Sequence, residues 1–218
     1  MKKAKERFSL YLHRRYGDRS TPKHYLNDID MFMQIVGTKN PNKITRQDVD
    51  AFITAQAEKG LAATTINRRL ASLHSFFEFL ASEDEAKLGV NPVKWTRHRV
   101  SEGSYLPRDA SDQAVNQLFE VIDKARDRAL FGLMVGAGLR VGEVARLKYT
   151  DLTPPPLLTE CARLRVCGKG QKERFVWVTP RWYGELMPWL AQREGNSEYL
   201  FVSQRQTPLS VAGIQYCL

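Results

Sequence analysis

The spacing of hydrophobic residues changes along this chain, and the change limits the folds available to it. In the first half, apolar residues recur every three or four positions, which is the helical period. The clearest helix runs from about Ala63 to Ser82, with its apolar stripe at Ile66, Leu70, Leu73, Phe77 and Leu80. Near Ala162 the period becomes two, as in a strand with one buried face. The chain is therefore predicted to be mainly α, with a small β-hairpin or sheet in its second half.

The first domain is predicted to span residues 1–88 as a helical bundle. One helix covers about Lys3 to Tyr16, and a second begins at Thr21-Pro22, a hydroxyl N-cap followed by proline. Thr45 and Asp48 have the spacing of a capping box for a third helix. With the helix from Ala63 to Ser82, this part holds helices and no strand.

Residues 89–106 break the helical pattern and are interpreted as a linker. Asn91-Pro92 is a turn signal, and the stretch is basic through Lys94, Arg97, His98 and Arg99. A flexible basic linker of this kind would join two separately folded domains.

The second domain is predicted from residue 107 to 218 as a mixed α+β unit. Ser111 caps its first helix, and Gly168-Lys169-Gly170 turns a hairpin. The remaining predicted elements are helices at Ala125–Val135, Val141–Leu147, Trp182–Gln192 and Ser210–Leu218, a returning strand at Phe175–Val178 and a short strand at Tyr199–Val202.

The net charge of +9 is unevenly distributed along the chain. Residues 1–100 hold 18 Lys+Arg against 11 Asp+Glu, whereas residues 101–218 hold 15 against 13. A basic half-chain suits a polyanion such as nucleic acid. An ordinary basic surface would look the same, so charge alone does not separate the two interpretations.

Several other classes of function find no support in the sequence. The three cysteines and four histidines show no metal-ligand spacing, so no metal or cofactor is expected. The glycines from Gly136 to Gly142 miss the dinucleotide fingerprint by one residue, and Gly168-Lys169-Gly170 lacks the rest of a P-loop. No secretory signal and no membrane-spanning run is present in these residues, which leaves the cytoplasm as the expected compartment.

Two cationic residues fit phosphate chemistry. Arg140 follows a glycine turn at the start of a predicted helix, where a guanidinium can hold two phosphate oxygens. Lys169 lies at the hairpin tip between two glycines, from which its ammonium could reach into a groove. Taken singly, each is equally consistent with a surface residue of a turn.

The combination resembles the tyrosine recombinases of the phage integrase family, in particular their Xer-like members. The residues that carry the resemblance are Gly138-Leu139-Arg140, Glu143, Leu147 and Asp151, followed by Gly168-Lys169-Gly170, Lys172 and Arg174. The helical first half resembles the family's SAM-like core-binding domain, with Thr64 to Arg68 opening its last helix. The resemblance implies a core-binding bundle followed by part of a catalytic domain.

The resemblance also implies roles for individual residues. Arg140 would hold nonbridging oxygens of the scissile phosphate, and Lys169 would protonate the leaving 5′-oxygen. Glu143 would support them from behind. Lys172 and Arg174 in the hairpin would contact DNA, as would Arg68, Arg69 and Lys94 from the first domain and linker. The implied partner is double-stranded DNA. On the DNA the chain would form a homo-oligomer or pair with a full-length recombinase. The resemblance implies no membrane and no metal.

Part of the family pattern is missing from these 218 residues. The family has a His-x-x-Arg motif and then a nucleophilic tyrosine, but no histidine follows His98, and Tyr216 has no such motif before it. The chain is therefore expected to be a truncated recombinase that binds DNA without cutting it. The alternative is a non-enzymatic DNA-binding accessory or competitor protein that keeps the recombinase scaffold.

Overall fold

The structure is a computed structural model, and it describes residues 1–17, 20–83, 90–103, 109–168 and 172–217. The chain divides into two compact units, Met1–Leu106 and Pro107–Leu218. Each unit has its own hydrophobic core.

The first unit is helical, as predicted. Its helices are Lys2–Tyr16 (α1), Ser20–Val36 (α2), Arg46–Glu58 (α3), Ala63–Ser82 (α4) and Trp95–His98 (α5), with a 3-10 turn at Pro41–Lys43. Phenylalanines from four of the helices fill the core. The ring centroid of Phe32 lies 5.4 Å from that of Phe52 and 6.1 Å from that of Phe77. This packing of large buried aromatic rings stabilises the bundle.

Local signals placed most helix ends of this unit correctly. The capping box is present: the Thr45 backbone N–H donates to Asp48 Oδ2 over 2.8 Å, and the Asp48 N–H donates to Thr45 Oγ1 over 3.3 Å. The prediction of Thr21 as an N-cap was wrong, because α2 already includes Ser20. Pro22 lies in the first turn of α2, where its missing N–H costs no hydrogen bond.

The stretch predicted as a linker contributes to the first unit. Val93 is buried in its core, and the Asn67 side chain on α4 bonds to both backbone groups of Val100, at 2.8 Å and 2.9 Å. Asn91 donates to the His74 carbonyl over 3.1 Å. Residues 91–100 therefore pack on the bundle, whereas domain boundaries at 88 and 107 stay a prediction.

The second unit combines helices with a small sheet, which confirms the predicted fold class. Its elements are Asp112–Glu120 (α6), Ala125–Gly136 (α7), Val141–Val144 (α8), Leu152–Thr153 (β1), Ala162–Cys167 (β2), Glu173–Val178 (β3), Pro180–Gln192 (α9) and Val211–Tyr216 (α10), with a 3-10 turn at Tyr149–Asp151. Among the described residues the sheet is antiparallel in the order β1-β2-β3. Its inner face buries Ala162, Leu164 and Val166, as the alternation predicts.

Two details of the second unit differ from the sequence prediction. The helix expected over Val141–Leu147 ends at Val144. Beyond it, the N–H groups of Arg146 and Leu147 donate to carbonyls three residues earlier, which is the 3-10 pattern. Tyr199–Val202 is not a strand: Tyr199 bridges to Lys148 and Val202 to Pro208, so no ladder develops. Within the described residues, no helix is long and apolar enough to cross a membrane.

Candidate functional site

A glycine turn presents Arg140 to solvent. Helix α7 ends at Gly136, and Gly138 has a φ of 64°, a conformation that costs glycine little. Leu139 then anchors the chain in the core at 4% exposure. Arg140 emerges immediately before α8, with its side chain 78% exposed. The turn thus holds the backbone of Arg140 while leaving most of its guanidinium accessible to a ligand.

Glu143 connects Arg140 to the hairpin. Its side chain is only 3% exposed, and it accepts 2.9 Å and 3.1 Å hydrogen bonds from the Arg140 backbone N–H and guanidinium. Both terminal nitrogens of Arg174 on β3 also donate to it, over 2.8 Å and 3.0 Å. One buried carboxylate therefore fixes two arginines that are 34 positions apart in the sequence.

The start of the hairpin loop lies beside the same carboxylate. The Gly168 N–H donates to the Lys172 carbonyl over 2.8 Å, and a Cβ at Gly168 would lie 3.4 Å from Glu143 Oε1. Lys169, the predicted general acid, lies outside the described residues. The base of its loop is nevertheless adjacent to the anchor of Arg140.

The two arginines keep Glu143 ionised. The Arg174 guanidinium is the main cause that lowers the pKa of Glu143 to about 2, and it outweighs burial, which raises that pKa. The Arg140 N–H acts in the same direction as Arg174. Two guanidinium cations and one carboxylate leave a net positive charge at the site, which suits an anionic ligand.

Stability should depend on pH through Glu143. Because its folded pKa of about 2 lies below the ordinary 4.5, its contribution is present above about pH 4.5 and is lost as the pH falls towards 2. The difference in unfolding free energy between the unsubstituted chain and Glu143→Gln should shrink by about 2 kcal/mol across this window. Denaturant titrations at several pH values would measure it. A pH-independent difference would contradict the ionised pair.

The other predicted DNA-contacting residues differ in their exposure and in their partners. Lys172 is exposed at the hairpin, and Lys94 is partly buried just before α5. Arg68 is 49% exposed and paired with Asp28, whereas Arg69 is 16% exposed and bonds to Gln56. Arg69 is therefore held mainly within the first unit, and Arg68 is divided between an internal partner and solvent.

Sequence reasoning missed Asp28 and did not foresee the partner of Asp151, which the family pattern includes. Asp28 is buried on α2, and Asp151 accepts 3.0 Å and 2.8 Å bonds from Arg165. A signal for Asp28 was available: Tyr25, Asp28, Ile29 and Phe32 follow the i, i+3, i+4, i+7 pattern of a buried helix face. A carboxylate on that face requires a buried partner.

Metal ligation finds no support in the described ranges. No group of three or more His, Cys, Asp or Glu side chains within them could hold a metal ion. The described cations of the site are Arg140, which is exposed to solvent, and Arg174, which is partly exposed and bonded to the same carboxylate.

Comparison with protein families defines the class of both units. Residues 6–84 match the model for the phage integrase N-terminal SAM-like domain, and residues 109–217 match the model for the phage integrase family. The two matches place a SAM-like core-binding domain before an integrase-type domain. The chain belongs to the phage integrase family of tyrosine recombinases.

Individual relatives agree with this assignment. The chain is 32% identical over 222 residues to the tyrosine recombinase XerC of Vibrio cholerae serotype O1, covering 96% of this chain and 69% of that protein. The fold is similar to a lambda integrase dimer bound to a COC' core site (TM-score 0.75, 18% identity, 100% and 61% coverage). It is also similar to a lambda integrase tetramer bound to a Holliday junction (TM-score 0.74, 18% identity, 99% and 63% coverage). The chain therefore spans less than two thirds of these lambda integrase chains.

Proposed function

We propose that this chain binds double-stranded DNA in site-specific recombination and that Arg140 holds the phosphate at which strands are exchanged. The observation that carries the proposal is an exposed guanidinium whose position is fixed by a buried carboxylate. Such a group offers N–H donors to phosphate oxygens without first having to be ordered. Lys169 would act as general acid from the loop that begins beside Glu143.

The remaining cations have a different role in this proposal. Lys172 and Lys94 contact backbone phosphates and position the duplex without reading its sequence. Arg174 donates to Glu143 with both terminal nitrogens, so we assign it the support of Arg140 in addition to any contact with DNA. No cofactor is required, because fixed cations neutralise the phosphate.

Relatives suggest the setting in which this happens. XerC of Vibrio cholerae is named a tyrosine recombinase, and lambda integrase is described as a dimer on a core site and a tetramer on a Holliday junction. By analogy, copies of this chain, or this chain with a full-length recombinase, would assemble on DNA in the cytoplasm. Since the 218 residues contain no histidine after His98, we propose that they bind DNA without cutting it.

Replacing Arg140 with alanine should weaken duplex binding roughly tenfold, because a charge-assisted contact to phosphate is lost. The slope of log K against log salt should become shallower by about 0.9, the value for one neutralised phosphate. Fluorescence anisotropy with a labelled duplex over a range of salt concentrations would measure both quantities.

The matched control is Arg205→Ala, which removes the same charge from an exposed turn of the same unit. Equal losses in the two variants would assign the effect to net charge and overturn the role of Arg140. On a nicked duplex that traps covalent intermediates, an adduct that disappears in Tyr216→Phe would contradict binding without cleavage.

A further inference from the structure

A buried carboxylate in the first unit points at an arginine that reaches the surface. Asp28 lies on the core-facing side of α2, and its side chain is 1% exposed. Removing a carboxylate from water is costly unless charged or polar partners replace the water. Asp28 must therefore find its partners inside the bundle.

The partners that the described residues provide lie on α4. Arg68 donates to Asp28 through both terminal nitrogens, Nη1 to Oδ2 over 2.7 Å and Nη2 to Oδ1 over 2.9 Å. The Ser72 hydroxyl donates to Oδ2 over 2.7 Å, and Arg69 Nε lies 3.9 Å from Oδ1. This paired geometry fixes the plane of the Arg68 guanidinium, which a single hydrogen bond would not do.

Half of the Arg68 side chain remains accessible to solvent. Its exposure is 49%, although its partner is almost completely buried. A guanidinium has five N–H donors, and the pair with Asp28 uses two of them. Within the described residues the other donors make no hydrogen bond, so they are available to a ligand, and their directions are set by Asp28.

A second arginine, Arg15 at the end of α1, lies near Tyr25, one turn before Asp28 on α2. Burial raises the pKa of the Tyr25 hydroxyl, and the charges of Arg15 and Arg68 act in the opposite direction. Arg15 is exposed and lies 5.7 Å from the centre of the Tyr16 ring, which itself lies 6.5 Å from that of Tyr25. With Asp28 counted, the two guanidinium groups and one carboxylate leave one net positive charge near these tyrosines, which favours a phosphate.

We propose that Asp28 is a positioning residue that orients Arg68 towards a backbone phosphate of DNA. This inference rests on the proposed DNA binding. It adds a phosphate contact by Arg68 in the first unit and names Asp28 as the residue that aligns it. It also predicts a change in DNA affinity opposite to the change expected from net charge alone. Removing a negative charge should by itself strengthen binding to DNA, whereas removing a positioning carboxylate should weaken it.

The test is Asp28→Asn in the full chain, measured by anisotropy against a labelled duplex over a range of salt concentrations. Affinity should fall about fivefold to tenfold, the range expected when a charge-assisted hydrogen bond is impaired. The matched control is Asp30→Asn, two residues along α2, where the carboxylate pairs with Lys5 and is 42% exposed. Asp30→Asn should leave affinity unchanged or slightly higher. Asp28→Asn binding as tightly as Asp30→Asn would overturn the proposal.

A double-mutant cycle separates positioning from a general loosening of the bundle. If Asp28 acts through Arg68, Asp28→Asn should have no further effect on affinity in an Arg68→Ala background. Asn91→Ala removes hydrogen bonds to the His74 carbonyl and to Glu78 elsewhere in the same unit, so it should lower thermal stability and leave affinity unchanged. A persistent effect of Asp28→Asn in the Arg68→Ala background, or equally weakened binding by Asn91→Ala, would overturn positioning.

Two further outcomes are covered by the same measurements. If Asp28→Asn does not fold, Arg68→Lys carries the test: it keeps the charge but not the paired geometry, so undiminished binding would overturn the proposal. If the unsubstituted chain shows no salt-sensitive binding to any duplex, the proposed function fails and this inference fails with it. Salt-sensitive binding that is indifferent to Asp28 and Arg68 would overturn this inference alone.

Discussion

Replacing Glu143 with alanine should lower the unfolding free energy of the second unit by about 2–3 kcal/mol. Removing one partner of a buried ion pair leaves the charge of the other partner without compensation. The loss of stability is smaller here than for a fully buried pair, because Arg140 and Arg174 are partly exposed. Duplex binding should weaken as well, although the variant gains a positive charge. Urea denaturation and duplex anisotropy would measure the two effects.

The control for this variant is Glu173→Ala on the same hairpin. Glu173 is 60% exposed, and its described ion contact is a 4.0 Å approach to Arg165. Its removal should change stability by no more than about 0.5 kcal/mol and should not weaken binding. If Glu143→Ala behaved like Glu173→Ala in both measurements, the anchoring of Arg140 by Glu143 would be disproved.

Gly136→Ala should destabilise the second unit by about 3 kcal/mol, at the upper end of what overpacking costs. A Cβ at Gly136 would lie 2.0 Å from Cδ1 and 2.4 Å from Nε1 of Trp182, so the indole on α9 would have to move away from α7. Since α7 leads directly into Gly138 and Arg140, duplex binding should weaken too. Thermal unfolding followed by tryptophan fluorescence would measure the loss of stability.

Gly184 on α9 provides a control in which the same substitution should raise stability. A Cβ at Gly184 would meet nothing within 4 Å, and the residue lies inside the helix. Gly184→Ala should therefore stabilise the unit by roughly 0.5–1 kcal/mol through helix propensity. In Gly136→Ala/Trp182→Ala the steric conflict is removed, so the double variant should lose less stability than the two single variants together. Additive losses would show that the indole is not the obstacle.

The elements that could be predicted from the sequence depend on residues close together in the chain. The capping box joins Thr45 to Asp48, and the stripe of α4 follows one helical period. The alternation from Ala162 to Val166 likewise predicted a strand with one buried face. Each of these signals lies within a few residues, so tertiary packing had little opportunity to override it.

Residues 91–100, within the predicted linker, form a stretch with contacts that composition does not report. Its proline and basic residues are typical of a linker, yet Val93 is buried and Asn67 bonds to Val100. Asn67 and Val100 lie 33 positions apart. No local pattern reports such a contact, because it exists only once α4 has folded.

The sequence by itself determined the order of the elements, the change from helical to strand period and the family motif around Arg140 and Lys169. Only the tertiary structure decided which arginines are anchored and by which carboxylate: Glu143 holds Arg174 across 31 positions, and Asp28 holds Arg68 across 40. The physical reason is that helix and strand signals arise from neighbours within a turn or a pleat. A buried ion pair depends instead on the burial and orientation that the folded chain gives to two distant side chains.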